Sequence, residues 1–198
     1  MASYPKPLFQ LIQLLKKLPG VGQKTAERYA FQLLDWKISE LKLLGYHIDQ
    51  LKELITQCNE CGTLKEKFCT YCENESRKTG TLCIVSNPKD VFAIEETRSF
   101  SGLYYVLPNL ITPFEENAEI QINLNAIAAY IQKNTIKEVI LALESTLEGD
   151  ATSLYLKEKL TSIGLSISRL AYGIPLGSTL EFIDGGTLSR ALLGRQPF

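Results

Sequence analysis

Four cysteines stand at positions that suit metal binding. Cys58 and Cys61 form one Cys-x-x-Cys pair, and Cys69 and Cys72 form a second pair after seven intervening residues. Each pair can turn two thiolates toward one point, and four thiolates complete the tetrahedral coordination of a structural Zn²⁺ site. Because no ligand position would remain for water or substrate, the spacing predicts a zinc site that stabilises the fold. The alternative is two disulfides, which rarely persist in the reducing cytosol expected for this chain.

A glycine-rich turn provides a second candidate site. Gly20 and Gly22 lie between two stretches of helical periodicity, residues 8–17 and 24–34. Glycines allow positive φ and a close backbone approach, so amide N–H groups can point outward where the second helix begins. Lys24 and Arg28 follow at i, i+4 on one face of that helix. The pattern predicts a phosphate-binding turn; the alternative is an ordinary helix–helix turn with solvated cations.

Three further signals have plainer explanations. The segment around Gly22 is not a nucleotide-binding P-loop, because Gln23 separates this glycine from Lys24 and no strand precedes the turn. His47 is the single histidine, and with four cysteines already supplying a ligand set it is interpreted as a structural or surface residue. Trp36 is interpreted as a packing residue.

Acidic residues follow one of the predicted strands. The strand predicted at 138–143 is followed by Glu144, Glu148 and Asp150. In proteins with parallel sheets, ligands and partner proteins bind at the loops that leave the carboxyl ends of the strands. The sequence therefore predicts an acidic contact surface here. Ser86, after the strand predicted at 81–85, can neither act unaided as a base near neutral pH nor add charge to a metal site.

The charge of the chain is unevenly distributed. Its 198 residues are 45% apolar and 22% charged, as in an ordinary soluble protein, with a net charge of −1. Residues 1–34 contain five Lys or Arg against Glu27 alone, whereas residues 84–198 contain nine against thirteen Asp or Glu. We therefore expect a polyanion to bind the N-terminal segment. Without a signal peptide or an apolar run of about 20 residues, we expect a cytoplasmic protein.

The elements that position these sites fall into four predicted modules. They are a helical region at 1–56, a four-cysteine zinc module at 57–78, an α/β domain at 79–172 and a C-terminal tail at 173–198. A third helix is expected at 39–56, capped by Ser39. Alternating strands and helices in the α/β domain predict a mostly parallel sheet.

The tail is predicted to form a strand and a helix. Leu180–Ile183 reads as a strand that ends at Asp184, as in a Walker B segment, but without a Walker A partner a capped strand-to-helix turn is favoured. The final helix carries Leu188, Leu192 and Leu193 with little to pack on locally. We expect it to contact another subunit.

Two of these segments resemble known families. The turn at 18–22 is similar to the helix-hairpin-helix family, whose hairpins grip the DNA backbone without reading sequence. The α/β domain resembles Toprim domains, where an acid-x-acid pair binds Mg²⁺; Glu148 and Asp150 match that pair. Ser86 departs from the family, which usually has glutamate at the first strand end, and this puts phosphoryl-transfer chemistry in doubt.

The order of the modules along the whole chain resembles the RecR family of bacterial recombination mediators. The resemblance implies an α+β, multi-module, non-enzymatic DNA-repair protein that forms a dimer or tetramer. It further implies that the protein works with RecO and RecF to load RecA on single-stranded DNA. By the family pattern, Lys24 and Arg28 contact DNA, and Glu148 with its acidic neighbours faces RecO. The alternatives are a Mg²⁺-dependent Toprim nuclease or primase and a zinc-dependent regulatory module without a DNA role.

Overall fold

A computed structural model describes residues 4–113, 122–171 and 173–195. The chain divides into two compact units, Met1–Leu54 and Ile55–Phe198. No helix in the described ranges combines the length and the apolar character that a membrane-spanning segment needs. The predicted fold class is confirmed in its helical N-terminal region, four-cysteine cluster, parallel sheet and C-terminal helix.

The first unit is a small helical assembly. Its helices are α1 (Lys6–Leu15), α2 (Gln23–Leu34) and α3 (Ile38–Leu54). Helices α1 and α2 pack around a core of three fully buried residues, Ile12, Ala26 and Ala30. The two alanines are spaced i, i+4, so they lie on one face of α2 and let α1 approach closely.

Helix α3 differs from the prediction in two ways. It begins at Ile38, so Ser39 lies inside the helix and is not its cap; instead the Glu40 carboxylate accepts a hydrogen bond from the Lys37 amide at 2.9 Å. None of its residues is buried, and apolar side chains such as Ile48 are exposed. The apolar side chains of α3 therefore join no buried core in the described part of the single chain.

The second unit contains two sheets. Strands β1 (Thr56–Gln57) and β2 (Leu64–Lys65) pair antiparallel within the cysteine-bearing segment. The larger sheet is all parallel, in the order β4-β3-β5-β6, as its alternating pattern predicted. The remaining elements are β3 (Thr81–Val85), α4 (Pro88–Glu96), β4 (Leu103–Val106), α5 (Leu124–Lys133), β5 (Glu138–Ala142), α6 (Leu147–Thr161), β6 (Ser166–Arg169) and α7 (Gly185–Leu193).

The core of this unit is continuous from the parallel sheet to the cysteines. Strand β3 is buried over Leu82–Val85, as expected of a central strand covered on both faces. The four cysteines of the two pairs belong to the same cluster of buried residues as this strand and α5. The cysteine-bearing segment therefore packs as part of the α/β unit.

Two predictions about the second unit are wrong, the start of one helix and the presence of one strand. The sequence pattern predicts that α6 begins at Ala151. It begins four residues earlier, at Leu147, because the Thr146 hydroxyl caps it by accepting from the Gly149 amide at 3.1 Å. The strand predicted at 180–183 is a single 3₁₀ turn, Leu180–Phe182, whose Phe182 amide bonds locally to the Thr179 carbonyl. In the described residues this segment joins neither sheet.

Candidate metal centre and nucleic-acid interface

The folded chain brings the four predicted metal ligands together. The sulfur atoms of Cys58, Cys61, Cys69 and Cys72 all lie within 4.8 Å of one another, and all four residues are buried. The Cys58–Cys72 and Cys61–Cys69 sulfur pairs are each 3.5 Å apart, too far for a disulfide bond of about 2.05 Å. Zinc–sulfur bonds of about 2.3 Å in a tetrahedron would place sulfurs roughly 3.8 Å apart. The cluster therefore fits a metal ion of this kind.

Local backbone structure turns the first cysteine pair inward. The Cys58 amide donates to the Thr63 carbonyl at 2.8 Å, and the Gly62 amide donates to the Cys58 carbonyl at 2.9 Å. Gly62 has a φ of +74°, a backbone conformation that is strained for residues with a side chain. These contacts close a tight turn that holds Cys58 and Cys61 on one side.

The electrostatics of the cluster favour a bound cation. Burial raises the pKa of the Cys61 thiol to about 12, because a low-dielectric interior disfavours the thiolate. Burial also raises the pKa of the Cys69 thiol. Hydrogen bonds from the Thr63 hydroxyl and neighbouring amides outweigh this effect and lower the pKa to about 7. Four thiolates in this space would need compensating positive charge, which a divalent metal supplies.

The fifth cysteine lies apart from the candidate centre. Cys83 is buried in strand β3, and burial raises the pKa of its thiol to about 12. It is not part of the group that could hold a metal. Cys83 therefore packs in the core as a small apolar residue.

An arginine that sequence reasoning missed fixes the end of the cysteine segment to the sheet. The Arg77 guanidinium donates to both carboxylate oxygens of Glu95, at 3.0 and 2.6 Å, and to the Gly102 carbonyl at 3.0 Å. It also lies over the rings of Tyr71 and Tyr104, 5.2 and 5.5 Å from their centroids. The sequence signal available was an arginine five residues after Cys72, with no local indication of its partner 18 residues away.

In the first unit, the glycine turn has the geometry of a backbone anion site. Gly20 has a φ of +76°, as the pattern predicted, whereas Gly22 is extended and forms the N-cap of α2. The first amides of a helix have no partner within it, so those of α2 are available at this turn. Lys24 and Arg28 are exposed on the first turns of the same helix.

The neighbours of these two cations leave them accessible. Gln23 donates to Glu27 at 2.5 Å, so the nearby carboxylate already has a partner on its own helix. The Arg28 guanidinium lies 5.6 Å from the centroid of the exposed Tyr29 ring. Two cations and free amides at one helix start can contact neighbouring phosphates.

The two aromatic or imidazole residues considered from the sequence are both surface residues of the first unit. Trp36 is 41% exposed, so it is not a core residue. His47 is exposed on α3, with its ring edge-on to Tyr46 at 5.6 Å. His47 is not among the residues of the described cysteine cluster.

The acidic residues after β5 occupy two different environments. Glu144 is exposed, whereas Glu148, in the first turn of α6, is half-buried. Asp150, two residues further in the same turn, contacts Arg169 of β6 at 2.5 Å and Arg190 of α7 at 2.9 Å. The Asp150 carboxylate therefore ties the C-terminal helix to the sheet, and two guanidinium groups compensate its charge.

The remaining candidates near the sheet make local contacts. Ser86, at the end of β3, donates to the Asp90 carboxylate at 3.4 Å. Asp184 caps α7 by accepting from the Thr187 amide at 2.9 Å and from its hydroxyl at 2.7 Å. These hydrogen bonds from Thr187 lower the pKa of Asp184. The capping role predicted for the turn at Asp184 therefore accounts for its carboxylate.

Three family matches cover most of the chain. Residues 8–52 match the RecR helix-hairpin-helix family, residues 80–171 a Toprim domain family and residues 173–196 the RecR C-terminal family.

Curated relatives match along the full length. A protein named Recombination protein RecR from Protochlamydia amoebophila (strain UWE25) is 46% identical over 98% of this chain and 99% of its own length. Proteins with the same name from Chlamydia felis (strain Fe/C-56) and Chlamydia abortus (strain DSM 27085 / S26/3) are 45% and 44% identical over the whole of both chains.

Proposed function

The chain belongs to the RecR family of recombination proteins, and we propose that it is a non-enzymatic mediator that binds DNA through the turn between α1 and α2. The observation that carries the proposal is the joint placement of the Gly20 turn, the start of α2, whose amides donate to no capping side chain among the described residues, and two exposed cations, Lys24 and Arg28. Amides and cations at a helix start bind phosphates without reading bases. Binding would therefore be independent of sequence.

The test of this proposal is the salt dependence of DNA binding. If Lys24 and Arg28 each contact one phosphate, Lys24→Ala and Arg28→Ala each reduce the slope of log affinity against log salt by about 1. Lys42→Ala is the control, since it removes the same charge from α3, away from the turn. If the parent and all three variants show equal slopes, the turn is not part of the DNA interface. A parent protein that binds no DNA even in dilute buffer would overturn the proposed function.

Self-association would strengthen binding by such a weak contact. Several copies in one dimer or tetramer raise avidity without new contacts to DNA. Large apolar side chains support an assembly, because they are exposed on α3 and in the tail, with Ile38 at 73%, Phe182 at 82% and Leu193 at 80%. The molecular mass in solution, with and without DNA, tests assembly and binding together; a monomer in both conditions contradicts the assembly.

We propose Zn²⁺ as the ion of the four-cysteine cluster. Support comes from the donor set, which is all sulfur and buried, and from sulfur separations close to those of a tetrahedral site. When bound, the ion would crosslink the two cysteine pairs and would have no open position for catalysis. Elemental analysis of the purified protein, expected to give one zinc per chain, tests this assignment.

RecO and RecF are the proposed partners, with RecA loading on single-stranded DNA as the outcome. The exposed Glu144 and the half-buried Glu148 support an acidic docking surface for RecO, and Asp150 follows them in the first turn of α6. Glu148→Gln is expected to weaken RecO binding, whereas Glu158→Gln, an exposed change near the other end of α6, is the control. If both variants bind RecO with equal affinity, Glu148 is not part of the docking surface.

A Mg²⁺-dependent nuclease or primase is the competing function. The contacts of Asp150 with Arg169 and Arg190 disfavour Mg²⁺ there, and Ser86 supplies no carboxylate at the neighbouring strand end. Incubation with DNA, nucleotides and Mg²⁺ separates the two functions. Cleavage or synthesis that Glu148→Ala abolishes would overturn the non-enzymatic role.

A further inference from the structure

Thr63 is a buried hydroxyl residue within the candidate metal centre. It is 1% exposed, and its Oγ1 atom lies 3.1 Å from the Cys61 sulfur and 3.3 Å from the Cys69 sulfur. The other buried polar side chains in the described ranges, Asn134, Thr152 and Ser153, form hydrogen bonds with main-chain groups. Thr63 is thus unusual in directing its hydroxyl at thiols.

Its contacts join the two cysteine pairs. The Thr63 carbonyl accepts from the Cys58 amide at 2.8 Å, while its hydroxyl reaches one sulfur of the first pair and one of the second. Thr63, two residues after Cys61, therefore contacts three of the four cysteines. Its position depends on the tight turn at Gly62.

The chemistry of a metal-bound thiolate decides the direction of this hydrogen bond. A cysteine must lose its proton to ligate a metal, and a thiolate can then only accept hydrogen bonds. Thr63 carries the proton, so its hydroxyl must donate to the sulfur of Cys61 or Cys69. Four thiolates around a divalent ion leave excess negative charge in a buried site, and a donor aimed at that charge stabilises it.

We propose that Thr63 is a positioning residue of the metal centre, whose hydroxyl donates to the Cys61 or the Cys69 thiolate, orients it and strengthens its hold on the ion. The proposal rests on metal occupancy of the cluster and is independent of DNA binding. Loss of such an outer hydrogen bond typically weakens metal binding about 10–100-fold.

The test compares three variants of the full chain. Thr63→Val keeps the shape of the side chain and removes the hydroxyl, whereas Thr63→Ser keeps the hydroxyl and removes a methyl group. Thr70→Val makes the same chemical change at an exposed position between the cysteines of the second pair. Competition with a chromogenic chelator measures Zn²⁺ affinity, and the absorption of the Co²⁺-substituted protein reports the electronic state of the thiolates.

Thr63→Val is expected to bind Zn²⁺ about 10–100-fold more weakly than the parent, with Thr63→Ser and Thr70→Val close to the parent. The thiolate-to-cobalt charge-transfer band of Thr63→Val should move to lower energy, since an unbonded thiolate is more easily oxidised. An unchanged affinity and spectrum in Thr63→Val would overturn the proposal.

The serine variant keeps the test decisive if Thr63→Val does not fold. Parent-like metal affinity in Thr63→Ser then supports a role for the hydroxyl. Weaker metal binding by Thr63→Ser would instead show that the methyl group acts through packing, and this would overturn the proposal. A parent protein that binds neither Zn²⁺ nor Co²⁺ would also overturn it. That last result would leave the DNA-binding proposal standing, so the two failures are distinguishable.

Discussion

The amide N–H of Val106, the last residue of β4, donates a hydrogen bond of 2.8 Å to the carbonyl oxygen of Cys61. This bond connects a candidate metal ligand directly to an edge strand of the parallel sheet. The salt bridge between Glu60 and Lys133 of α5, at 2.6 Å, adds a second connection nearby. A metal ion bound by these cysteines would therefore stabilise the α/β unit as well as the cysteine segment.

Metal removal should destabilise the whole second unit. An ion present at about 100 times its dissociation constant stabilises the folded state by about 2.7 kcal/mol, or roughly 5–10 °C in Tm for a unit of this size. We expect a strong chelator to lower the Tm of the parent by this amount and to have little effect on Cys61→Ser. Thermal unfolding followed by circular dichroism measures both.

Cys83→Ala is the control for metal removal. This variant loses packing in β3 but keeps the four ligands, so its response to the chelator should equal that of the parent. A parent Tm that ignores the chelator would contradict this stabilisation by the metal.

Gly62→Ala should destabilise the protein for two separable reasons. The φ of +74° costs an alanine roughly 1–2 kcal/mol, and its Cβ would lie 3.0 Å from the Cβ and carbonyl oxygen of Val106. Gly164→Ala is the matched control, because its φ is +82° but nothing lies within 4 Å of the added atom. Denaturant unfolding should show a larger loss for Gly62→Ala; equal losses would mean that Val106 moves aside freely.

Glu95→Gln should make the protein less stable near pH 7 and less sensitive to acid. Burial opposes ionisation, but hydrogen bonds from Arg77 and Tyr104 and the charge of Arg77 outweigh it and lower the pKa of Glu95. Because this pKa is lower in the folded state, ionised Glu95 stabilises the fold at pH values above the ordinary glutamate pKa of about 4.3. This stabilisation is lost as the pH falls through the lower pKa of the folded state.

Denaturant unfolding at several pH values measures this effect. At pH 7 we expect a loss of roughly 1–3 kcal/mol, as for hydrogen bonds to a charged group, and the difference from the parent should shrink below about pH 4. Glu158→Gln, whose ion pair with Lys159 is exposed, should change stability by less than about 1 kcal/mol. A Glu95→Gln deficit that stays constant into acid would contradict ionisation as its cause.

Local patterns predicted the elements whose signals lie within a few residues. A continuous apolar run predicts strand β3. Pro88, a residue favoured at the first position of a helix, marks the start of α4 after its Asn87 cap. The cysteine spacing likewise identified all four members of the cluster.

Features set by distant contacts were beyond such patterns. The pairing of Arg77 with Glu95 and the two arginine contacts of Asp150 depend on tertiary structure, and a capping threonine moved the start of α6 into the expected acidic loop. The strand expected near residue 180 fails because an apolar run forms a strand only where a neighbouring strand can pair with it.

Two tyrosines that differ in one hydrogen bond provide a test of buried polarity. The Tyr130 hydroxyl is buried and has no hydrogen-bond partner among the described residues, while its ring packs edge-on against Tyr105. The Tyr104 hydroxyl instead donates to Glu95 at 2.6 Å. An unpaired buried polar group costs about 1–3 kcal/mol, whereas a bond to a charged group contributes a similar amount.

The same change at the two positions should therefore have opposite effects on stability. Tyr130→Phe keeps the ring, removes the unpaired hydroxyl and should raise the free energy of unfolding by about 1 kcal/mol. Tyr104→Phe should lower it by roughly 1–3 kcal/mol, because it also leaves the Glu95 carboxylate with one donor fewer. Denaturant unfolding of both variants decides the matter. A loss of stability in Tyr130→Phe would show that its hydroxyl bonds to a buried water, which the phenylalanine would displace.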